Sequence, residues 1–188
     1  MKLFYTGADK FNNLQPNIVL SLGGFISSTP IPNAQLSNLF SDISSFSISK
    51  DQFTVIAIAL QNTLAKDVTD IFLWFDFLTD AFTKLEFAFV DVNDDSEGNL
   101  SIEKLSNSHS LPFFGTFQEA SGEANKVNIG DLLKGQYLGL YIKQTFLPDL
   151  SDKFTCDELT KNIEDDGSFT TKPNTKEDIV LNLDWTEV

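Results

Sequence analysis

The stretch "DQFTVIAIALQN", residues 51–62, decides the fold. Ile56, Ile58 and Leu60 alternate with Ala57 and Ala59. A period of two places successive side chains on opposite faces, so this is a strand with one bulky and one small face. The same period returns downstream. "VTDIFLWFDFL" sets Ile71, Leu73, Phe75 and Phe77 against Phe72, Trp74 and Asp76, and "KLEFAFVDV" sets Leu85, Phe87 and Phe89 against Glu86. "KVNIG" is a short strand before a turn. "GQYLGLYIKQTF" places Leu138, Leu140 and Ile142 opposite Tyr137, Tyr141 and Lys143. "EDIVLNLDW" alternates Ile179, Leu181, Leu183 and Trp185 with Val180, Asn182 and Asp184. Strands in succession, with no helices alternating between them, predict an all-β chain: an immunoglobulin-like antiparallel β-sandwich over residues 50–188. Two long polar loops interrupt it, near residues 92–124 and 147–177, the second with a capping-box pattern at Thr155–Glu158.

Residues 1–49 follow a different grammar. After a strand-like piece at Lys2–Thr6 comes "NIVLSLGGFISSTPIPNAQLSNLF", residues 17–40, without a single charge. Gly23, Gly24, Pro30 and Pro32 interrupt it, and "SSTPIPN" reads as turn and extended chain because residues before proline avoid the helical region. Leu36, Leu39 and Phe40 have helical spacing over one or two turns. The expectation is an extended N-terminal assembly arm. Phe25, Ile26, Ile31, Leu36, Leu39 and Phe40 would bury themselves on neighbouring subunits, and removal of residues 1–45 would leave a folded sandwich. Phe72 and Trp74, pointing away from the core side of their strand, complete the expected assembly interface.

Bulk composition narrows the function. The 188 residues are 41% hydrophobic, include 18 Phe and carry a net charge of -14, enough apolar content for one aromatic core. Such an acidic chain repels phosphate backbones and anionic membrane surfaces, so neither nucleic acid nor membrane is an expected partner. All 13 basic residues are Lys, which removes the bidentate fork that Arg offers to phosphate and carboxylate. The first residues are too short an apolar run for a signal peptide, and no window approaches the about 20 apolar residues of a spanning helix. The expectation is a soluble chain made in a cytosol.

The motifs that resemble catalytic or metal sites are incomplete. "DVNDDSEGNLSIE", Asp91–Glu103, begins like a calcium loop, but its sixth position is Ser96 and its twelfth Ile102, where Gly and a bidentate Glu are needed. His109 is the only histidine and Cys156 the only cysteine, too few ligands for zinc and no pair for a disulfide. Ser108 and Ser110 flank His109, but neighbours in an extended loop do not face one another. The acids Glu164, Asp165 and Asp166 read as a solvated loop, and Gly23-Gly24 lacks the Lys and the spacing of a phosphate loop. Tyr137 stands where a tyrosine corner would fall, yet Lys143 shares its face. The expectation is no catalytic residue, no metal and no cofactor.

Several segments resemble the small structural proteins of tailed-bacteriophage virions: "SLGGFISSTPIPNAQLSNLFSDIS", "FTVIAIALQNT", "VTDIFLWFDF", "IGDLLKGQYLGLYIKQT" and "IVLNLDW". In that family an N-terminal arm precedes an immunoglobulin-like sandwich. The resemblance implies a non-enzymatic virion subunit in a tail, neck or collar ring, or a capsid accessory protein. Its partners would be copies of itself in a ring or array and other virion proteins such as portal, tail or capsid. The long 147–177 stretch departs from the short final hairpin of that pattern. The alternative is a receptor- or glycan-binding immunoglobulin-like module of a surface adhesin, with Trp74, Tyr141 and Trp185 stacking on sugars.

Overall fold

A computed structural model of the chain describes residues 1–32, 53–77, 83–146 and 179–188. Its strands in chain order are β1 (Lys2–Ala8), β2 (Gly24–Pro30), β3 (Phe53–Gln61), β4 (Val68–Phe77), β5 (Thr83–Asp91), β6 (Asn93–Asp94), β7 (Leu100–Ile102), β8 (Gln118–Glu119), β9 (Val127–Leu132), β10 (Tyr137–Phe146) and β11 (Ile179–Glu187). They form two antiparallel sheets. The larger has the order β6-β7-β2-β1-β3-β10-β5-β8 and the smaller the order β11-β4-β9.

The alternation that predicted the strands also decides which face each side chain takes. Ile56, Ile58 and Leu60 of β3, Leu85 and Phe87 of β5, and Leu140 and Ile142 of β10 share one buried cluster with Ile71, Leu73 and Phe75 of β4. Phe75 and Phe87 meet edge to face across the two sheets, with ring centres 6.1 Å apart. Leu181, Leu183 and Trp185 of β11 pack half-buried against the same cluster. The opposite face of the large sheet carries a second, smaller core. Val55, Ala57 and Tyr141 there meet Ile102 of β7 and Leu105, with Phe117 partly buried beside them, so the stretch 103–117 between β7 and β8 covers this face as a third layer. The polar composition of 92–124 had suggested only a loop.

The N-terminal segment corrects the arm expectation as far as residue 32. β1 is an internal strand, paired with β2 on one side and with β3 on the other, in register Leu3↔Leu60 and Tyr5↔Ile58. Leu3 and Tyr5 sit in the main core, and Ile26 and Ile31, expected to dock on other chains, are buried within this one at 0% and 6% exposure. Phe25 is half-buried. Leu36, Leu39 and Phe40 lie outside the described residues, as does the 147–177 stretch with Thr155–Glu158, Cys156 and the acids at 164–166.

Hydrogen bonds, more than an apolar stripe, hold this segment. Thr6, Gln15, Ser21 and Ser27 are all buried. Thr6 Oγ1 donates to the Ala57 carbonyl at 2.6 Å and accepts from Gly23 N–H at 3.0 Å. Thr6 N–H donates to Ser21 Oγ, Gln15 Nε2 donates to the Thr6 carbonyl, and Gln15 N–H donates to Ser27 Oγ. Ala57 N–H meets the Ser21 carbonyl at 2.7 Å and Val55 N–H the Ser108 carbonyl at 2.6 Å, closing the first half of β3 where β1 has turned away. Buried polar groups need such partners, so a run without periodicity still takes a defined course.

At the far end of the large sheet Glu86 accepts from two lysines, Lys143 Nζ at 2.6 Å and Lys84 Nζ at 3.1 Å, and Lys84 also reaches Glu119 at 3.4 Å. Burial pushes the Glu86 carboxyl up, but the hydrogen bonds and charges of Lys143 and Lys84 outweigh it, and its pKa falls below the ordinary value. A depressed folded-state pKa contributes stability that is present above the unfolded-state pKa and is lost as pH falls through the folded one. Glu86→Gln is expected to lower stability at neutral pH by about 1–2 kcal/mol and to flatten the acid limb of the melting temperature against pH. An unchanged slope below the ordinary carboxylate pKa would remove Glu86 from the acid response.

Candidate interaction surface

The residues between β7 and β8 build the most unusual surface of the described structure. Phe113 and Phe114 are 84% and 66% exposed, and Leu111 beside them is exposed as well. The two rings meet edge to face at 4.9 Å. Their backbone is held from below. The Glu103 carboxylate accepts from Phe113 N–H at 2.8 and 2.9 Å and from Phe114 N–H at 3.3 Å. Pro112 is buried. Gly115, at φ +96°, runs so close to β5 that an added Cβ would lie 3.1 Å from Ala88 Cβ and 3.2 Å from Val90 Cγ1. His109 anchors the near side, with Nδ1 2.7 Å from the Phe53 carbonyl. Two aromatic side chains are thus displayed to solvent on a backbone that is tied down on both flanks.

Glu103 is the hub of this region. Its carbonyl accepts from Tyr141 Oη at 2.6 Å. Burial, and then the nearby Glu103 charge, push the Tyr141 phenol well above its ordinary pKa, so the hydroxyl keeps its proton as a donor. Tyr141, not Tyr137, therefore ties a strand to a loop by its hydroxyl, while Tyr137 packs edge to face on Phe4 and Phe11. Because Tyr141 is fully buried, it is not available to stack on a sugar, and the outward set Trp74, Tyr141 and Trp185 is not assembled.

Phe72 and Trp74 alternate with the buried Ile71, Leu73 and Phe75 of β4, and both are half-buried, Trp74 packing in part against the main core. Lys126 crosses them, with Nζ 4.6 Å from the Phe72 ring centre and 5.9 Å from that of Trp74, and pairs with Asp184 at 3.8 Å. Asn182 Nδ2 donates to Asp76 Oδ2 at 2.8 Å beside them. The cation covers part of the face that the sequence reading left open. Trp74 Nε1 is buried without a hydrogen-bond partner.

The other sequence candidates separate in space and in role. Asp95, at the heart of the calcium-like stretch, spends its carboxylate on its own turn, accepting from Glu97 N–H, Asn99 N–H and Asn99 Nδ2 at 2.8–2.9 Å. The Asn99 bonds hold its pKa below the ordinary value. Among the described residues no cluster of three His, Cys, Asp or Glu side chains is arranged to hold a metal. Near His109, Ser110 Oγ shares its hydrogen bond with Ser106 Oγ, while the histidine turns to backbone. Gly23 crosses the Glu103 backbone immediately before Gly24 opens β2. Phe113 and Phe114 escaped sequence reasoning because they sit outside any periodic run. The available signal was "LPFFG", two aromatics between two turn residues in an uncharged stretch.

Fold and surface define the class: an all-β protein of two antiparallel sheets that presents aromatic side chains on a braced loop. No family model, no curated protein and no solved structure matches the chain.

Proposed function

We propose that this chain is a non-enzymatic structural subunit of a bacteriophage virion, in a tail, neck or collar ring or as a capsid accessory protein, and that it works by assembling with other subunits. The observation that carries the reading is the braced Phe113–Phe114 pair. Exposed apolar surface of this kind is unfavourable for an isolated protein, and bracing lowers the ordering cost when a partner covers it. Aromatic side chains presented in this way are the usual anchors of protein interfaces. The segments that resemble virion proteins support the same reading, since β3, β4, β10 and β11 carry most of them.

We infer with it an immunoglobulin-like β-sandwich. The neighbours β1-β3-β10-β5 follow the A-B-E-D order of an immunoglobulin-like sheet, and β11 beside β4 matches its F and C strands. β9 departs from that scheme, because it enters the small sheet between β5 and β10 in the chain.

Mass spectrometry of purified particles from the system that carries the gene tests the function. The chain is expected in the particles in a fixed ratio to portal or tail subunits. Recovery only outside particles, in cells producing them, would overturn the assignment.

A further inference from the structure

Among the described residues of this strongly acidic chain, the two longest stretches without an acid or a lysine are residues 11–32 and residues 105–118. They are far apart in sequence and adjacent in the fold. Leu105 N–H donates to the Leu22 carbonyl at 2.7 Å, and β2 pairs with β7 through Gly24↔Ile102 and Phe25↔Ser101. Glu103 lies at the seam, its carbonyl against Gly23 and its carboxylate turned onto the Phe113 and Phe114 amides. Six of the eight large hydrophobic side chains exposed among the described residues belong to these two stretches: Leu14, Val19, Leu20, Leu111, Phe113 and Phe114. The apolar exposure and the absence of charge thus coincide.

We propose that this surface, uncharged except where Glu103 and the exposed Lys104 lie at its seam, is the contact between copies of this chain. The argument is electrostatic. Two molecules that each carry a net charge of -14 repel, and close contact is cheapest where neither surface brings an ion that must be desolvated. A basic partner would gain by covering the acidic remainder and has no need of a neutral face. A like-charged copy does need one. An anionic membrane is disfavoured by the same net charge. The inference rests on the assembly reading above and adds which surface makes the contact and with what.

Sedimentation velocity of the full chain from about 1 μM to about 300 μM provides the test. Wild-type protein is expected to associate with rising concentration. Phe113→Ser with Phe114→Ser is expected to raise the dissociation constant about a hundredfold, and Val19→Ser with Leu20→Ser to raise it as well. Leu133→Ser, exposed but outside both stretches, should leave it unchanged. Near-ultraviolet circular dichroism checks that each variant keeps its fold. Raising salt should strengthen the association, since the screening length falls from about 10 Å at 0.1 M to about 3 Å at 1 M; a contact made by ion pairs would weaken. A wild-type chain monomeric throughout, or a folded double Phe variant that associates like wild type, overturns the proposal. So does binding to neutral phosphatidylcholine vesicles that the double variant loses while neither protein self-associates. A monomer that is nevertheless found in particles would remove the self-contact and leave the virion reading standing; a self-associating chain absent from particles would do the reverse.

Discussion

A chain lacking residues 1–32 is expected to lose its cooperative thermal transition, not merely an appendage. β1 lies inside the large sheet, and its removal exposes the main-chain groups of β3 from Ile58 to Gln61. It also takes Leu3, Tyr5, Ile26 and Ile31 out of buried positions. Each such side chain contributes about 1.5–3 kcal/mol through burial, so the four together are worth about 6–12 kcal/mol. That is comparable with the entire stability of an ordinary domain, about 5–15 kcal/mol. The buried ties from Thr6 and Ser21 to Ala57 go with them. Circular dichroism during heating is the direct measurement. A sharp transition near the melting temperature of the intact chain would mean that the sheet closes without β1, and the internal placement of that strand would be wrong.

The second large effect concerns one atom. Gly23→Ala is expected to destabilise by about 2–5 kcal/mol, combining left-handed backbone strain of about 1–2 kcal/mol with overpacking of about 1–3 kcal/mol. Gly23 has φ +86°, and an added Cβ would lie 1.9 Å from the Glu103 carbonyl oxygen and 3.0 Å from Lys104 Cα, both backbone atoms that cannot rotate away. Gly24 is the internal control. Its φ is +87°, but the nearest atom to an added Cβ is the Lys104 side chain at 3.8 Å. Gly24→Ala should therefore show only the strain, about 1–2 kcal/mol. Urea midpoints for the two variants measure the difference, and equal losses would refute the close crossing. Because the atom that Gly23 crowds belongs to Glu103, the same substitution should disturb the support of Phe113 and Phe114.

The strands that were legible in the sequence are those with one face in the main core. β3, β4, β5, β10 and β11 carry bulky residues at every second position, and those residues point between the two sheets. β2 and β7 were not legible. β7 has only three residues, while β2 begins at a glycine and one of its two fully buried residues is Ser27, satisfied by hydrogen bonds. No apolar period arises from such a strand. The 92–124 stretch was misread for a related reason. Only Ile102 and Leu105 enter the second core with full burial, while the rest of the layer is held through the Glu103 carboxylate and backbone contacts. Of the interface residues named from sequence, Phe72 and Trp74 are half-buried beneath Lys126, and Trp74 also packs against the main core. Ile26 and Ile31 are claimed by the chain's own core.

By itself the sequence determined that the protein is all-β and which residues of the main strands face inward, because periodicity is a local property that survives any packing. Only the tertiary structure decided that β1 and β2 are internal strands of the large sheet, and that the uncharged run carrying β2 meets a second uncharged run beside Glu103. Those outcomes depend on pairings between residues tens of positions apart and on single close approaches such as Gly23 to Glu103. Such contacts leave no repeating pattern in the chain, since each is made by one hydrogen bond or one missing side chain.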